Sequence, residues 1–142
     1  VDVGTRSTGY TALHIASHFG YVNIVNSLLM DSTANSDKQV NDGRTSLYMA
    51  CRNGYLDITK LLVGDGHADV EKASNEGWTP LWIASRNGHL DIVEFLLSQH
   101  AAEANIAAND GSTCVYVASQ EGHLDVVKFL VQTSKADPSV AQ

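Results

Sequence analysis

The stretch that decides the fold is GWTPLWIASRNGHLDIVEFLL, residues 77–97, which has the pattern of a short helix, a glycine turn and a second helix. Nearly the same text occurs three more times, displaced by 34 residues or a multiple of 34. Four series of residues keep this phase: Gly9, Gly43, Gly77 and Gly111; Thr11, Thr45, Thr79 and Thr113; Ala16, Ala50, Ala84 and Ala118; Gly20, Gly54, Gly88 and Gly122. A fixed period of this size predicts a stacked array of supersecondary units.

Each unit follows the start and stop rules of helices. The first glycine follows a polar pair in the last three copies, which predicts a turn with positive φ. The threonine two residues later is a good N-cap, and Pro80 takes the first helical position in the third copy. The second glycine predicts a left-handed end of this helix. A second helix then begins almost at once, with an acidic residue in its first turn, where the helix dipole favours an anion: Asp57, Asp91 and Asp125.

Apolar residues give each helix a side to bury. On the first helix, the alanines are joined by Leu13, Leu47, Leu81 and Val115. On the second helix, the corresponding residues in the third copy are Ile92, Phe95 and Leu96. Such a helix pair is apolar on two sides and cannot stand alone, so stacked copies must bury one another's faces.

The four copies resemble ankyrin repeats. The stretches GYTALHIASHFGYVNIV, GRTSLYMACRNGYLDIT, GWTPLWIASRNGHLDIV and GSTCVYVASQEGHLDVV are similar to the family pattern Gly-x-Thr-Pro-Leu-His-x-Ala followed by Gly-His-x-x-Val-Val. The resemblance implies an all-α solenoid of stacked antiparallel helix pairs, with β-hairpin-like finger loops along one edge. We therefore expect a single domain over residues 1–142, with repeats at 7–40, 41–74, 75–108 and 109–142.

One position departs from the family pattern in three of the four copies. Only the first copy keeps the family's histidine, His14, and the others have Tyr48, Trp82 and Tyr116. The resemblance implies that the histidine bonds back to the threonine and across to a neighbouring finger. Aromatic rings cannot copy this geometry, so we expect them to replace the polar link with buried area between repeats. Direct contact with a partner is the other role open to them.

Composition and charge exclude several classes of function. The chain has 142 residues and a formal net charge of −7, and its nine lysines and arginines are spread along the sequence. This disfavours nucleic acid and anionic membranes as partners, since both need a basic face. No apolar run is long enough to span a bilayer. The two cysteines lie in different repeats and form no disulfide framework, which suggests a cytoplasmic protein, with the nucleus as the other compartment open.

Two histidines have a spacing that can hold a metal ion. His14 and His18 are four residues apart on one helix. No glutamate follows His14 in the manner of a zinc protease, and the sequence shows no third ligand. The glycines follow the 34-residue period and form no phosphate-binding cluster. We therefore expect neither a metal nor a cofactor.

The candidate nucleophiles also follow the period, which favours packing over catalysis. One column contains Ser17, Cys51, Ser85 and Ser119, and Cys114 lies in the proline column after the threonine. The sequence shows no acidic pair with a raised pKa, because the aspartates of the second helices recur at helix starts. We expect no enzymatic activity.

The remaining candidates form a protein-binding surface. By resemblance to other ankyrin arrays, contacts are expected on the fingers and on the first helix just before the second glycine. The finger column is Tyr10, Arg44, Trp78 and Ser112, and the helix column is His18, Phe19, Arg52, Asn53, Arg86, Asn87, Gln120 and Glu121. Aromatic residues and arginines are typical of interface hot spots. We expect a scaffold that binds a partner protein or peptide, with Trp78 exposed.

One asparagine resembles a modification site. The stretch LSQHAAEAN, residues 97–105, is similar to the leucine–acid–asparagine pattern of ankyrin asparagines that an oxygen-sensing dioxygenase hydroxylates. The resemblance makes Asn105 a candidate for hydroxylation. The alternative is that Asn105 supports its own hairpin.

The last repeat lacks the polar outer face that closes most arrays. Its second helix keeps a full apolar set: Val126, Val127, Phe129, Leu130 and Val131. We therefore expect a segment of a longer array or of a multidomain protein, with uncovered ends that drive weak self-association. A structural spacer or a targeting module within such a protein is the alternative to a partner-binding scaffold.

Overall fold

The computed structural model describes residues 9–31, 33–100 and 102–133. These ranges contain eight α-helices in chain order: α1 (Ala12–Phe19), α2 (Val22–Met30), α3 (Ser46–Asn53), α4 (Leu56–Val63), α5 (Pro80–Arg86), α6 (Leu90–His100), α7 (Cys114–Gln120) and α8 (Leu124–Thr133). The same ranges contain no β-strand. The predicted all-α class is confirmed.

The helices form four pairs that stack in chain order. Helices α1, α3, α5 and α7, which we call the inner helices, pack in one row, and α2, α4, α6 and α8 pack in a second row. The two helices of each pair also pack on each other. The repeat alanines are all buried, and their small side chains let neighbouring helices approach closely: Ala16, Ala50, Ala84 and Ala118. The predicted solenoid of helix pairs is confirmed.

Both ends of the inner helices follow the predicted chemistry. Each N-cap threonine accepts, through its side chain, the backbone N–H three residues further on. Pro80 lies at the start of α5, where its missing N–H is not needed. Every glycine of the two periodic series has a φ between 76° and 87°. These local rules fix where each helix starts and stops, and thereby place the loops between pairs.

The loops before the inner helices are closed as short hairpins, which we call the fingers. The second finger is residues 40–44, the third is 74–78 and the fourth is 108–112, and the first is described from Gly9 onward. In the second finger, the N–H of Val40 donates to the carbonyl of Arg44 at 3.0 Å and the N–H of Gly43 donates to the carbonyl of Val40 at 2.8 Å. The third and fourth fingers repeat both bonds. The fingers are hairpin-like, as expected, although too short to count as strands.

Backbone hydrogen bonds also join consecutive fingers. The N–H of Asn75 donates to the carbonyl of Asp42 at 2.9 Å, and the N–H of Asn109 donates to the carbonyl of Glu76 at 2.9 Å. The side-chain amide of Asn109 adds a bond of 2.8 Å to the carbonyl of Asn75. The second, third and fourth fingers are therefore held in one row.

The N-terminal end of the described array presents apolar side chains to solvent. Ile15 on α1 is exposed, whereas the residues in register with it on the later inner helices are buried: Met49, Ile83 and Val117. Ile24 on α2 is likewise exposed, although Ile58 and Ile92 are buried at the same register. These positions face the preceding pair, and the first described pair has none.

The C-terminal end is less open than the sequence suggested. Of the apolar set expected to remain uncovered, Val126 and Leu130 are fully buried and only Val131 is exposed. The helix turns these two residues toward its own pair and the preceding one. The larger exposed residues at this end are Tyr116 on α7 and Leu124 on α8.

Candidate functional site

The first inner helix carries the histidine that was expected to link two fingers. The N–H of Thr11 donates to Nδ1 of His14 at 3.1 Å, and the threonine hydroxyl lies 2.8 Å from the same nitrogen. Because Nδ1 accepts, the ring proton is on Nε2, which donates to the carbonyl of Lys38 at 2.8 Å. The predicted bond back to the threonine is confirmed, and the bond across the stack reaches Lys38, two residues before the second finger. Both ring nitrogens of His14 are therefore engaged in hydrogen bonds within the protein.

The aromatic residues that replace this histidine do not all give up the polar link. Tyr48 and Trp82 are buried between pairs, at 2% and 4% exposure, whereas Tyr116 on the last described inner helix is 45% exposed. Burial confirms the packing role expected for the first two. The expected loss of the polar link is wrong for Trp82, because its indole Nε1–H donates to the hydroxyl of Ser112 at 3.2 Å. The longer side chain reaches the next finger directly.

The first and second fingers are joined by an arginine. Nη2 of Arg44 donates to the hydroxyl of Tyr10 at 3.1 Å, and Nε of Arg44 lies 2.7 Å from Oδ2 of Asp42. The ring of Tyr10 also meets the ring of His14 edge-on, at 5.9 Å between centroids. Tyr10 and Arg44 were predicted as partner contacts. Both are half-buried, and their polar groups are already engaged within the protein.

The third finger carries Trp78. The sequence predicted that Trp78 is exposed, whereas the structure shows it half-buried. Its indole stacks parallel on that of Trp82, with ring centroids 5.0 Å apart and planes at 5°. The sequence placed Trp78 among polar and small neighbours along the chain. The stack arises instead from the residue four positions later on α5, so one part of Trp78 supports the core and the other part reaches solvent.

In the fourth finger, Ser112 is buried at 6% exposure, which corrects its prediction as a partner contact. Its hydroxyl donates to Oδ1 of Asp110 at 2.6 Å while it accepts the indole proton of Trp82. The backbone N–H of Ser112 donates to the same carboxylate oxygen at 2.9 Å. These bonds lower the pKa of Asp110, because they stabilise its ionised form. Ser112 therefore orients an exposed acid.

The helix column divides into engaged and solvent-facing residues. The side-chain amide of Asn53 donates to the carbonyl of His18 at 2.7 Å, and that of Asn87 donates to the carbonyl of Arg52 at 2.9 Å. These asparagines and His18 are half-buried and connect successive pairs. The residues of the column that lie exposed are Phe19, Arg52, Arg86, Gln120 and Glu121.

A shallow groove of about 250 Å³ lies between the third and fourth fingers. It is lined by Asn75, Glu76, Trp78, Asn109 and Asp110. From the sequence alone, the acidic residue before Gly43, Gly77 and Gly111 indicates only a turn. The recurrence of an acid there, at residues 42, 76 and 110, was the signal that could have identified these carboxylates as a surface feature.

Comparison with family models matches the whole chain. Two overlapping matches to the model of ankyrin repeats (three copies) cover residues 1–73 and 66–142. The chain belongs to the ankyrin-repeat family. The resemblance in the sequence is thereby confirmed, with four helix pairs in the described residues where the model describes three copies. No similar protein was found among the curated proteins compared with it.

Ankyrin repeats are generally protein–protein interaction modules, and their fold is a non-catalytic one. The described residues contain no group of three or more histidines, cysteines, aspartates or glutamates arranged to hold a metal ion. None of the helices in the described part of this ankyrin chain has the length and apolar character that crossing a membrane requires.

The two cysteines of the ankyrin array are buried and chemically quiet. Cys51 lies 3.8 Å from the hydroxyl of Thr59, and Cys114 lies beside Ser85. Burial raises the pKa of both thiols to about 12. Thiols with a pKa this high stay protonated at neutral pH, which favours the packing role expected from the repeat columns over a nucleophilic one.

We expect neither thiol to react with Ellman's reagent in the folded protein at about pH 8, where roughly one thiol in ten thousand would be ionised at a pKa of about 12. Absorbance at the dye's wavelength measures the reaction. The control is the same protein in concentrated guanidinium chloride, where both thiols should react within minutes. Fast labelling of the native protein would show that the helix pairs open readily.

One acidic group has a raised pKa that the sequence did not reveal. Burial raises the pKa of Glu71, and the nearby charges of Glu103 and Asp69 add to the rise, although the N–H of Glu103 donates to the carboxylate at 3.4 Å and opposes it. Asp37 belongs to the same loops and accepts the N–H of Asp69 at 2.8 Å. The sequence pattern did not predict this group, because stacked loops bring together residues that are 32 positions apart.

Asn105 lies exposed in the turn that follows α6. Its side chain is accessible to solvent, which is a condition for modification. Hydroxylation of Asn105 stays a prediction.

Proposed function

We propose that this ankyrin array is a scaffold that binds a partner protein or peptide across its fingers and the exposed ends of its inner helices. The observation that supports it most is the placement of Arg52 and Arg86. They occupy one register position on successive inner helices, and both are exposed while their asparagine neighbours are used between pairs. Exposed arginines are among the residues that interface hot spots favour.

The proposed scaffold has no catalytic role and needs no cofactor. Nucleic acid is disfavoured as a partner by the net charge of −7. We place the protein in the cytoplasm or the nucleus, in keeping with two unpaired, buried thiols. The exposed Ile15, Ile24 and Leu124 also support weak self-association through the ends of the array.

The double variant Arg52→Ala and Arg86→Ala is expected to weaken partner binding by about tenfold or more, because hot-spot truncations cost about 1–2 kcal/mol or more each. The partner is first identified by affinity capture on the immobilised protein and mass spectrometry, and its affinity is then measured by titration calorimetry. The melting temperature should hardly change, since both side chains are exposed.

The matched control is Lys128→Ala, which removes a positive charge from an exposed position on α8, in the other row of helices. This variant should bind like the wild type. Unchanged affinity in the double arginine variant would place the interface elsewhere. Trp78→Ala is not a clean test of binding, because it also removes the stack on Trp82.

The alternative role, a spacer or targeting segment, predicts no partner for this surface. It is separated by comparing capture on the wild type with capture on the Arg52→Ala and Arg86→Ala double variant, shown to be folded by its melting curve. Proteins retained by both, or by neither, would favour the spacer. Proteins retained only by the wild type would favour the scaffold.

A further inference from the structure

The first two fingers hold an aromatic residue, an acid and a cation together. The guanidinium of Arg44 contacts the hydroxyl of Tyr10 on one side and the carboxylate of Asp42 on the other, at 3.1 Å and 2.7 Å. A planar guanidinium suits this position because it offers several donors in a fixed fork. The protein thus fills the space between its first and second fingers with its own arginine.

The third and fourth fingers repeat this arrangement without the cation. A shift of 68 residues, which is two repeats, carries Tyr10 to Trp78, Asp42 to Asp110 and Arg44 to Ser112. The aromatic residue and the acid are kept, but a short serine stands where the arginine would be. The groove of about 250 Å³ between these two fingers is lined by Trp78 and Asp110.

The walls of this groove are held in place by contacts within the protein. Trp78 stacks on Trp82, and Trp82 donates to Ser112, which in turn donates to Asp110. On the other wall, the hydroxyl of Ser74 donates to Oε2 of Glu76 at 3.2 Å, with the N–H of Trp78 donating to Ser74 at 3.3 Å. The two carboxylates and the indole are therefore fixed before any ligand arrives, which lowers the entropic cost of binding.

We propose that the groove between the third and fourth fingers binds an arginine side chain of the partner protein. This inference rests on the proposed function and names the chemistry that one part of the interface recognises. The guanidinium would lie against the part of Trp78 that lines the groove and pair with the carboxylates of Asp110 and Glu76. Its pairing with Asp110 corresponds to that of Arg44 with Asp42, while the indole takes the place of Tyr10, whose hydroxyl accepts from Arg44. Cation–π attraction and paired carboxylates both favour arginine, and the net charge of −7 attracts a basic segment.

The probe is the peptide acetyl-Gly-Arg-Gly-amide, titrated into ¹⁵N-labelled protein and followed by the indole N–H signals of Trp78 and Trp82 and the amide of Asp110. We expect saturable shifts at these three sites, with a dissociation constant on the order of millimolar, as suits a single side chain. The matched probe carries citrulline, which has nearly the same shape and no charge, and it should cause no saturable shift. A lysine probe should bind several-fold more weakly, since its ammonium lacks the planar fork.

Two variants test the acids without unfolding the fingers. Asp110→Asn keeps an acceptor for Ser112 but removes the charge, and Glu76→Gln keeps an acceptor for Ser74. Each is expected to weaken binding of the arginine peptide by about five- to tenfold. The charge control is Glu94→Gln, an exposed site on α6, which should bind as the wild type does.

Ser112→Arg tests the internal comparison directly. The new guanidinium should occupy the groove as Arg44 occupies the first one, and abolish the shifts caused by the peptide. A melting curve shows that the variant is folded. If it does not fold, Asp110→Asn and Glu76→Gln decide the question.

Equal shifts with the arginine and citrulline probes would overturn the proposal, as would full binding by Asp110→Asn. If the arginine probe fails while partner binding is lost in the Arg52 and Arg86 double variant, the scaffold function stands and the arginine subsite is wrong. If the arginine probe binds but affinity capture retains no partner on the wild type, the groove's recognition of arginine stands and the scaffold function is wrong.

Discussion

Replacing Trp82 with alanine should lower the free energy of unfolding by about 3–5 kcal/mol. The indole is 4% exposed, stacks on Trp78 and donates a hydrogen bond to Ser112. Its removal leaves a cavity between the third and fourth helix pairs and frees the hydroxyl that orients Asp110. Urea denaturation followed by circular dichroism measures the change. A loss of this size is a large part of the total for a domain with about 5–15 kcal/mol of stability.

Two tyrosines at the same register provide a matched comparison. Tyr48 is 2% exposed and Tyr116 is 45% exposed, so Tyr48→Ala should cost several kcal/mol and Tyr116→Ala about 1 kcal/mol or less. The residue type and the position in the helix are the same, and the described residues include a following helix pair for Tyr48 but not for Tyr116. Equal losses for the two would show that stability comes from within each pair, and not from the interfaces between pairs.

Gly43→Ala should destabilise the array by about 2–5 kcal/mol, the sum of a left-handed backbone and a steric overlap. Gly43 has a φ of 87°, and a Cβ built there would lie 2.7 Å from the backbone N of Asn75 and 3.0 Å from the backbone C of Ser74. Backbone atoms cannot rotate away, so the third finger would have to move and lose its bond to Asp42. Thermal and urea unfolding measure the effect.

Gly111→Ala is the control for this substitution. Gly111 has the same φ of 87°, but a Cβ there would have no described atom within 4 Å. Only the cost of the left-handed backbone applies, about 1–2 kcal/mol. The difference between the two variants isolates the contact between fingers. If Gly111→Ala proved as costly as Gly43→Ala, that contact would contribute nothing measurable.

The helices and their ends could be predicted from the sequence because they depend on local rules. Thr11, Pro80 and the periodic glycines act on bonds within a few residues, so a single sequence contains the required information. The stacking of pairs followed from the period alone. Leu81 and the alanine series could be predicted as buried because the existence of a neighbouring copy is enough to cover them.

The candidate site was predicted less well, because each of its residues depends on a residue in another repeat. Whether Arg44 is available to a partner depends on Tyr10, which is 34 residues away. Whether Ser112 is exposed depends on Trp82, which is 30 residues away. A column of residue types shows which positions vary, but it does not show which side chains are already engaged across the stack. Glu71 was missed for the same reason.

The bonds between fingertips have a mechanical consequence. Asn75 and Asn109 each donate one backbone hydrogen bond to the preceding finger. A row of short turns thereby gains some of the stiffness of a sheet. The third and fourth fingers each make a single backbone hydrogen bond to the preceding one, so the described row does not present the long series of unpaired backbone N–H groups with which an edge strand pairs with another chain. The row of described fingers can therefore be rigid while offering another chain less backbone to pair with than an open strand would.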